Sequence, residues 1–198
     1  MQLITINAPS KIVRLRNLGV NGFGVNLPLI DIIAASNVFL ENVFVSNNSG
    51  GFPGIRDKRS GPGVLTINNT SVTGVSGPGI VIVAASGTIG VDLDNVRSTN
   101  NLYGVAVSSG GRVMIKNSMF AGNSVAGIEG DPGSVIDINT SQISFNSTGI
   151  ASSGNTTMSA SGVLSNSTGI SGPTQSYGNN RIVTNSVTGT TPTIIPSQ

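Results

Sequence analysis

Three of the chain's eight acidic residues fall on one register. Asp92 and Asp94 flank an apolar residue in Val91-Asp92-Leu93-Asp94-Asn95, and Asp137 takes the place of Asp92 in Ile136-Asp137-Ile138-Asn139-Thr140. Two carboxyl groups held roughly 5–9.5 Å apart across a glycosidic bond are enough for its hydrolysis, one as acid and the other as base or nucleophile. Arg112 immediately precedes the copy of the motif that lies between them. A second cluster, Gly50 to Gly63, holds Arg56, Asp57, Lys58 and Arg59, the densest run of charge in the chain. Its glycines and prolines predict a loop, from which Arg56, Lys58 and Arg59 would reach an acidic glycan. The stretch fits neither the phosphate loop nor the Gly-Gly-x-Gly-x-Asp calcium repeat.

What is missing narrows the chemistry further. The 198 residues include no His, Cys or Trp. That removes thiolate nucleophiles, histidine triads and the usual zinc, haem or iron–sulfur ligands, so no metal site and no cofactor is expected. Ten Lys and Arg against eight acids leave +2, and with only 9% charged residues no dense cationic face exists to hold a phosphate backbone. Nucleic acid is not an expected partner. No apolar run approaches the eighteen or so residues of a membrane span, the longest being Ile80 to Ala85. Met1 to Ser10 lacks the charged and apolar segments of a secretory leader.

The elements that would carry these residues emerge from a repeat. Apolar-x-apolar-x-Asn occurs at Val13–Asn17, Val38–Asn42, Leu65–Asn69, Val91–Asn95 and Val113–Asn117, then as Ile136–Thr140 and a faded Thr156–Ala160. An apolar residue returns three places after the Asn (Val20, Val45, Val72, Phe120, Ile143, Val163), with Ser98 the exception. Gly followed by Val or Ile closes each unit, from Gly24-Val25 to Gly169-Ile170. Period-two alternation with β-branched enrichment is a strand signal, and no window has helical spacing. A unit of this length cannot bury its own apolar side chains, so copies must stack and pair in parallel.

The fold expected is therefore all-β: a right-handed parallel β-helix solenoid of about seven coils, each with three short strands. Residues 1–182 form the solenoid and 183–198 a C-terminal tail or cap. Val13, Val38, Leu65, Val91, Val113 and Ile136 make one interior column, and Leu15 through Met158 a second. Asn17, Asn42, Asn69, Asn95 and Asn117 stand at a strand corner as an internal ladder, because Asn accepts left-handed backbone and can bond to its neighbour above. Outward columns run Arg14, Phe39, Thr66, Asp92, Met114, Asp137, Thr157 and Arg16, Glu41, Asn68, Asp94, Lys116, Asn139, Ser159. Arg16 beside Glu41 and Asp94 beside Lys116 are expected to pair across coils. Asp92 and Asp137 lie two coils apart, about 9.6 Å. Tyr103, Tyr177, Phe23 and Phe52 are the aromatics expected at exposed turns.

The corner Asn column, the Gly-Ile closures and Ser176-Tyr177-Gly178-Asn179-Asn180-Arg181-Ile182 resemble bacterial right-handed β-helix repeat proteins of the pectin-lyase-like superfamily, over about residues 3 to 185. The resemblance implies a secreted or cell-envelope setting. It also implies a lyase alternative, in which carboxylates such as Asp92, Asp94 and Asp137 hold calcium while Arg112 acts as base. Since the repeat accounts for nearly every apolar and Asn residue, the expected function is a non-enzymatic structural or interaction segment with glycan contact. The alternatives are a polysaccharide lyase or glycoside hydrolase acting on an acidic polysaccharide, and a tailspike-like trimeric fibre segment. Expected partners are a polysaccharide or another protein. Leu3 to Asn7 reads like the last strand of a preceding coil, and an uncovered N-terminal coil would favour self-association there.

Overall fold

A computed structural model describes residues 3–196. Among these residues there are 24 strands and no helix, and every strand pairing is parallel. The chain winds through about eight turns of a parallel β-solenoid. Val38, Leu65 and Val91 stack as direct neighbours, as do Leu40, Ile67 and Leu93. These side chains are almost wholly buried, together with the column Ile30, Ile55, Ile80, Val105, Ile128, Ile150 and Ile170 from the third strand of each coil. Each coil contributes only a few apolar residues. Burial is achieved because the same positions recur on the coils above and below.

Three strands per coil fall into two hydrogen-bonded sheets rather than three. The third strands form a nine-stranded sheet, while the first and second strands share a fifteen-stranded one. They are joined because Ile12–Val25 and Asn37–Asn48 run through the first corner unbroken, whereas later coils break there, as Gly63–Asn68 and Ser71–Val75 do. Gly24-Val25 does not close the first coil: Val25 pairs with Asn48, and Leu29-Ile30 takes the closing place. The segment 50–63 is not wholly a loop, since Ile55–Asp57 is a strand of the nine-stranded sheet. Toward the C-terminus, Val187–Gly189 pairs with the strand Thr168–Ser171 and Thr193–Ile194 with Gln175–Ser176, so 183–194 continues the stack.

The closing glycines have a steric reason. A Cβ on Gly104 would lie 2.4 Å from the Gly127 carbonyl oxygen, and one on Gly149 would lie 2.5 Å from that of Gly169. The obstacle is backbone of the next coil, which cannot rotate away. Gly149→Ala is expected to cost about 1–3 kcal/mol, read as a lower urea midpoint at unchanged slope. Gly90→Ala, whose Cβ would meet nothing nearer than 3.9 Å, should stay within about 0.5 kcal/mol.

The asparagine ladder is a correction. Asn17, Asn42, Asn69, Asn95 and Asn117 do hold the corner, with φ between 49° and 55°, but they are exposed, not internal. Asn42 donates to Asn17 and Asn95 to Asn69, each at 2.7 Å, while Asn117 donates to Asp94. The interior ladder is a different column: Asn101, Asn123, Asn146, Asn166 and Asn185, at the second corner. There the Nδ2 of Asn123, Asn146 and Asn166 each donates to Oδ1 of the next Asn at 2.9 Å. Each amide also donates to a backbone carbonyl, as Asn146 does to Phe120. Left-handed residues immediately precede them (Asn100, Gly122, Phe145, Ser165, Thr184), turning the next side chain into the bore. A parallel column of Ser118, Ser141 and Ser161 serves the first corner, each hydroxyl accepting an N–H from the coil below.

Candidate functional site

The outward columns of the first strand stand as the alternation requires. Asp92, Met114 and Asp137 occupy consecutive rungs, as do Asp94, Lys116 and Asn139. Arg112 lies two residues before Met114 on the same strand, opposite Gly90 and Val135. Around Gly90 the absent side chain leaves a shallow depression of about 430 Å³, walled by Val64, Met114 and Val135 and edged by Asp92, Arg112 and Asp137. The surface there is almost entirely apolar with carboxylates at its margin.

Charge pairing accounts for most of this face. Lys116 Nζ lies 3.5 Å from Asp92 Oδ2 and 3.7 Å from Asp94 Oδ2, so one ammonium serves both carboxylates. Arg16 Nε meets Glu41 at 2.7 Å, and the Arg14 guanidinium sits 4.2 Å over the Phe39 ring. Asp137 has no cation within salt-bridge reach among the described residues, and burial raises its pKa. Asp92 Oδ1 is also buried without a hydrogen-bond partner, which cross-coil pairing does not explain. Met114, half exposed, stands on the rung between Asp92 and Asp137 and walls the depression between them.

The three cations of the second cluster do not form one surface. Arg56 donates to both oxygens of Asp31 at 2.9 Å, and Lys58 reaches the same carboxylate at 3.5 Å. Burial works to raise the Asp31 pKa, but the Arg56 hydrogen bonds and the two positive charges outweigh it and hold the carboxyl below its usual value. Arg59 is buried, at 1% exposure. It meets Asp57 through Nε at 2.9 Å and Nη2 at 2.6 Å, and donates through Nη1 to the carbonyls of Ala35 and Ser36. It is a strut between coils, closed to any solute.

No protein-family model, curated protein or solved structure matches the chain. What the site can do therefore rests on its own geometry. Among the described residues no group of three or more His, Cys, Asp or Glu is placed to hold a metal ion, and no helix is long and apolar enough to cross a membrane. Of the four aromatics expected at turns, Phe23 and Tyr177 are exposed, while Tyr103 and Phe52 are half-buried. Phe44 and Phe145 are exposed instead. These rings are scattered and form no platform.

Two places went unread in the sequence. A polar trough of about 600 Å³ follows the first corner past Asn95, Met119, Gln142 and Gly162, framed by Arg97 and Arg181. Neither arginine has a carboxylate within salt-bridge reach among the described residues. On the opposite sheet, Glu129 and Asp131 stand at one strand end as a carboxyl pair with no cation in salt-bridge reach among the described residues. Burial, then the Asp131 charge and a hydrogen bond with Asp131, raise the Glu129 pKa to about 7. Two acids at i and i+2 of a strand share a face, which is the signal that would have found them.

That pair has a consequence for stability. A carboxyl whose folded pKa lies above its unfolded value of 4.5 favours folding fully below about pH 4.5, and the contribution is lost as pH rises through 7. Glu129→Gln should therefore gain on the wild type between pH 5 and pH 8, by about 1–2 kcal/mol once solvent screening of a half-buried group is allowed for. Urea unfolding of both proteins at the two pH values measures it, and parallel pH profiles would contradict it.

Proposed function

We propose that the chain is a non-catalytic β-solenoid rod, a structural or interaction segment of an extracellular or cell-envelope protein that makes weak contact with glycans. The observation that carries this reading is the state of the carboxylates at the depression around Gly90. Asp92 shares Lys116 with Asp94, and Met114 stands on the rung between Asp92 and Asp137, an arrangement that disfavours a bond bracketed by a free acid and a free base. The aliphatic walls at Gly90 and the amide-lined trough between Arg97 and Arg181 are the places that suit a sugar's mixed polar and C–H surface. The resemblance to β-helix repeat proteins supports the external setting.

One observation favours the enzymatic alternative, a polysaccharide lyase or hydrolase. Asp137 has its pKa raised by burial at the edge of a depression that also presents Arg112; a raised carboxyl pKa suits a general acid, and Arg112 is the base of the lyase alternative. Incubation with acidic and neutral polysaccharides discriminates the two readings. The rod should release no new reducing ends and no unsaturated products. Turnover that disappears in Asp92→Ala or Asp137→Asn would replace the rod by the enzyme.

A further inference from the structure

The outer face of the nine-stranded sheet carries its charges at two levels. Successive rungs of one outward column read Asp31, Arg56, Val81, Ala106, Glu129 and Ala151. Two residues farther along the strands, Lys58, Val83, Ser108 and Asp131 follow the same rungs, their N–H groups bonding to the coil below in each case. At the lower level Arg56 and Lys58 share the single carboxylate of Asp31, leaving one positive charge in excess. Three rungs on, about 14 Å away, Glu129 and Asp131 have no cation within 4.0 Å among the described residues. Between the two levels lie Val81, Val83, Ala106 and Ser108, short and uncharged.

We propose that this face pairs with the same face of a second copy of the chain, the two rods antiparallel, about a two-fold axis that runs parallel to the strands between the Val81 and Ala106 rungs. A rotation about that axis reverses the order of rungs and preserves position along the strand. Arg56 of one copy then faces Glu129 of the other, Lys58 faces Asp131, and Val81 lies over Ala106, with every contact made twice, as an isologous interface requires. The excess cation at one level meets the uncompensated acids at the other. Short central side chains let the two sheets approach to about 10 Å. A face about 16 Å wide and about 34 Å long, from strand rise and rung spacing, buries about 1,100 Å² in total, the lower bound for a specific interface and fit for a reversible dimer. Parallel association, including any three-fold fibre built on this face, sets like charges at the same level and is disfavoured.

Sedimentation equilibrium of the full chain from about 1 to 100 μM tests the pairing. A monomer–dimer equilibrium is expected. Lys58→Glu alone and Asp131→Lys alone should each weaken it at least tenfold, since each sets two like-charge contacts across the axis. An equimolar mixture of those two variants should dimerise at least as well as the wild type, because both contacts then join opposite charges. Circular dichroism of each variant must match the wild type for the comparison to hold, and Asp131, an exposed side chain, is the safer of the two sites. A wild type that stays monomeric at 100 μM, forms a trimer, or dimerises equally with and without Lys58→Glu overturns the proposal. None of these results bears on turnover, which the polysaccharide incubation measures separately.

Discussion

Arg59→Met is expected to destabilise the protein by about 3–5 kcal/mol, because it strands the Asp57 carboxylate in the interior. Asp57 occupies an interior column whose neighbours on adjacent coils are Ile32 and Ile82. Both residues of the pair are at most 1% exposed, and the guanidinium reaches Asp57 twice and two carbonyls of the preceding coil besides. The neighbouring isoleucines also predict the rescue. In Asp57→Ile with Arg59→Met, an apolar pair replaces a charged one in an already apolar column, and most of the loss should return. A solenoid couples each coil chiefly to its neighbours, so hydrogen exchange should quicken first in residues 30–85 for the single variant. A single variant within about 0.5 kcal/mol of the wild type would show that Asp57 finds water or another partner, and the strut would lose its role.

Asn146→Ala is the second large effect, about 3–5 kcal/mol. Its Oδ1 accepts the backbone N–H and the side-chain amide of Asn123, and its Nδ2 donates to Asn166 Oδ1 and to the Phe120 carbonyl. Truncation leaves several of these buried groups without a partner, each worth about 1–3 kcal/mol and not fully additive. The exposed column behaves differently. Asn117 is needed for its φ of 51°, a conformation glycine also adopts without strain, so Asn117→Gly should be nearly neutral and Asn117→Ala should cost about 1 kcal/mol. Asn146→Gly keeps none of the side-chain hydrogen bonds and should be at least as damaging as Asn146→Ala. Equal losses at the two columns would mean that neither the interior bonds nor the corner conformation distinguishes them.

The contrast between those columns marks where reading along the chain succeeds. Alternation of period two, repeated at intervals of 20–27 residues, specifies which side chains of the first strand face the bore, and Val38, Leu65 and Val91 stack accordingly. The same register places Asp92 and Asp137 two rungs apart with Met114 between them, and pairs Arg16 with Glu41. The left-handed Asn at the first corner was equally legible, because its preference is a property of the residue and its immediate neighbours. The interior ladder left a trace too: Asn101, Asn123, Asn146 and Asn166 each follow by three the column Ser98, Phe120, Ile143, Val163.

Direction at a corner is another matter. Whether an Asn after a turn points to solvent or to the bore depends on the φ of the residue before it, and that place is filled by Asn100, Gly122, Phe145 and Ser165, which share no chemistry a sequence pattern can catch. Arg59 was read as a surface cation because charge normally stays in water. Only the three-dimensional path brings its guanidinium to Asp57 and to carbonyls 23 and 24 residues earlier, where hydrogen bonds offset the cost of burial. The amino-acid order alone determined the stack, its columns and its polar face, since these follow from periodic patterning and local backbone preference. Which asparagines lie inside, which arginine is a strut and which acids stand unpaired were decided by the folded chain, because each depends on groups brought together from different coils.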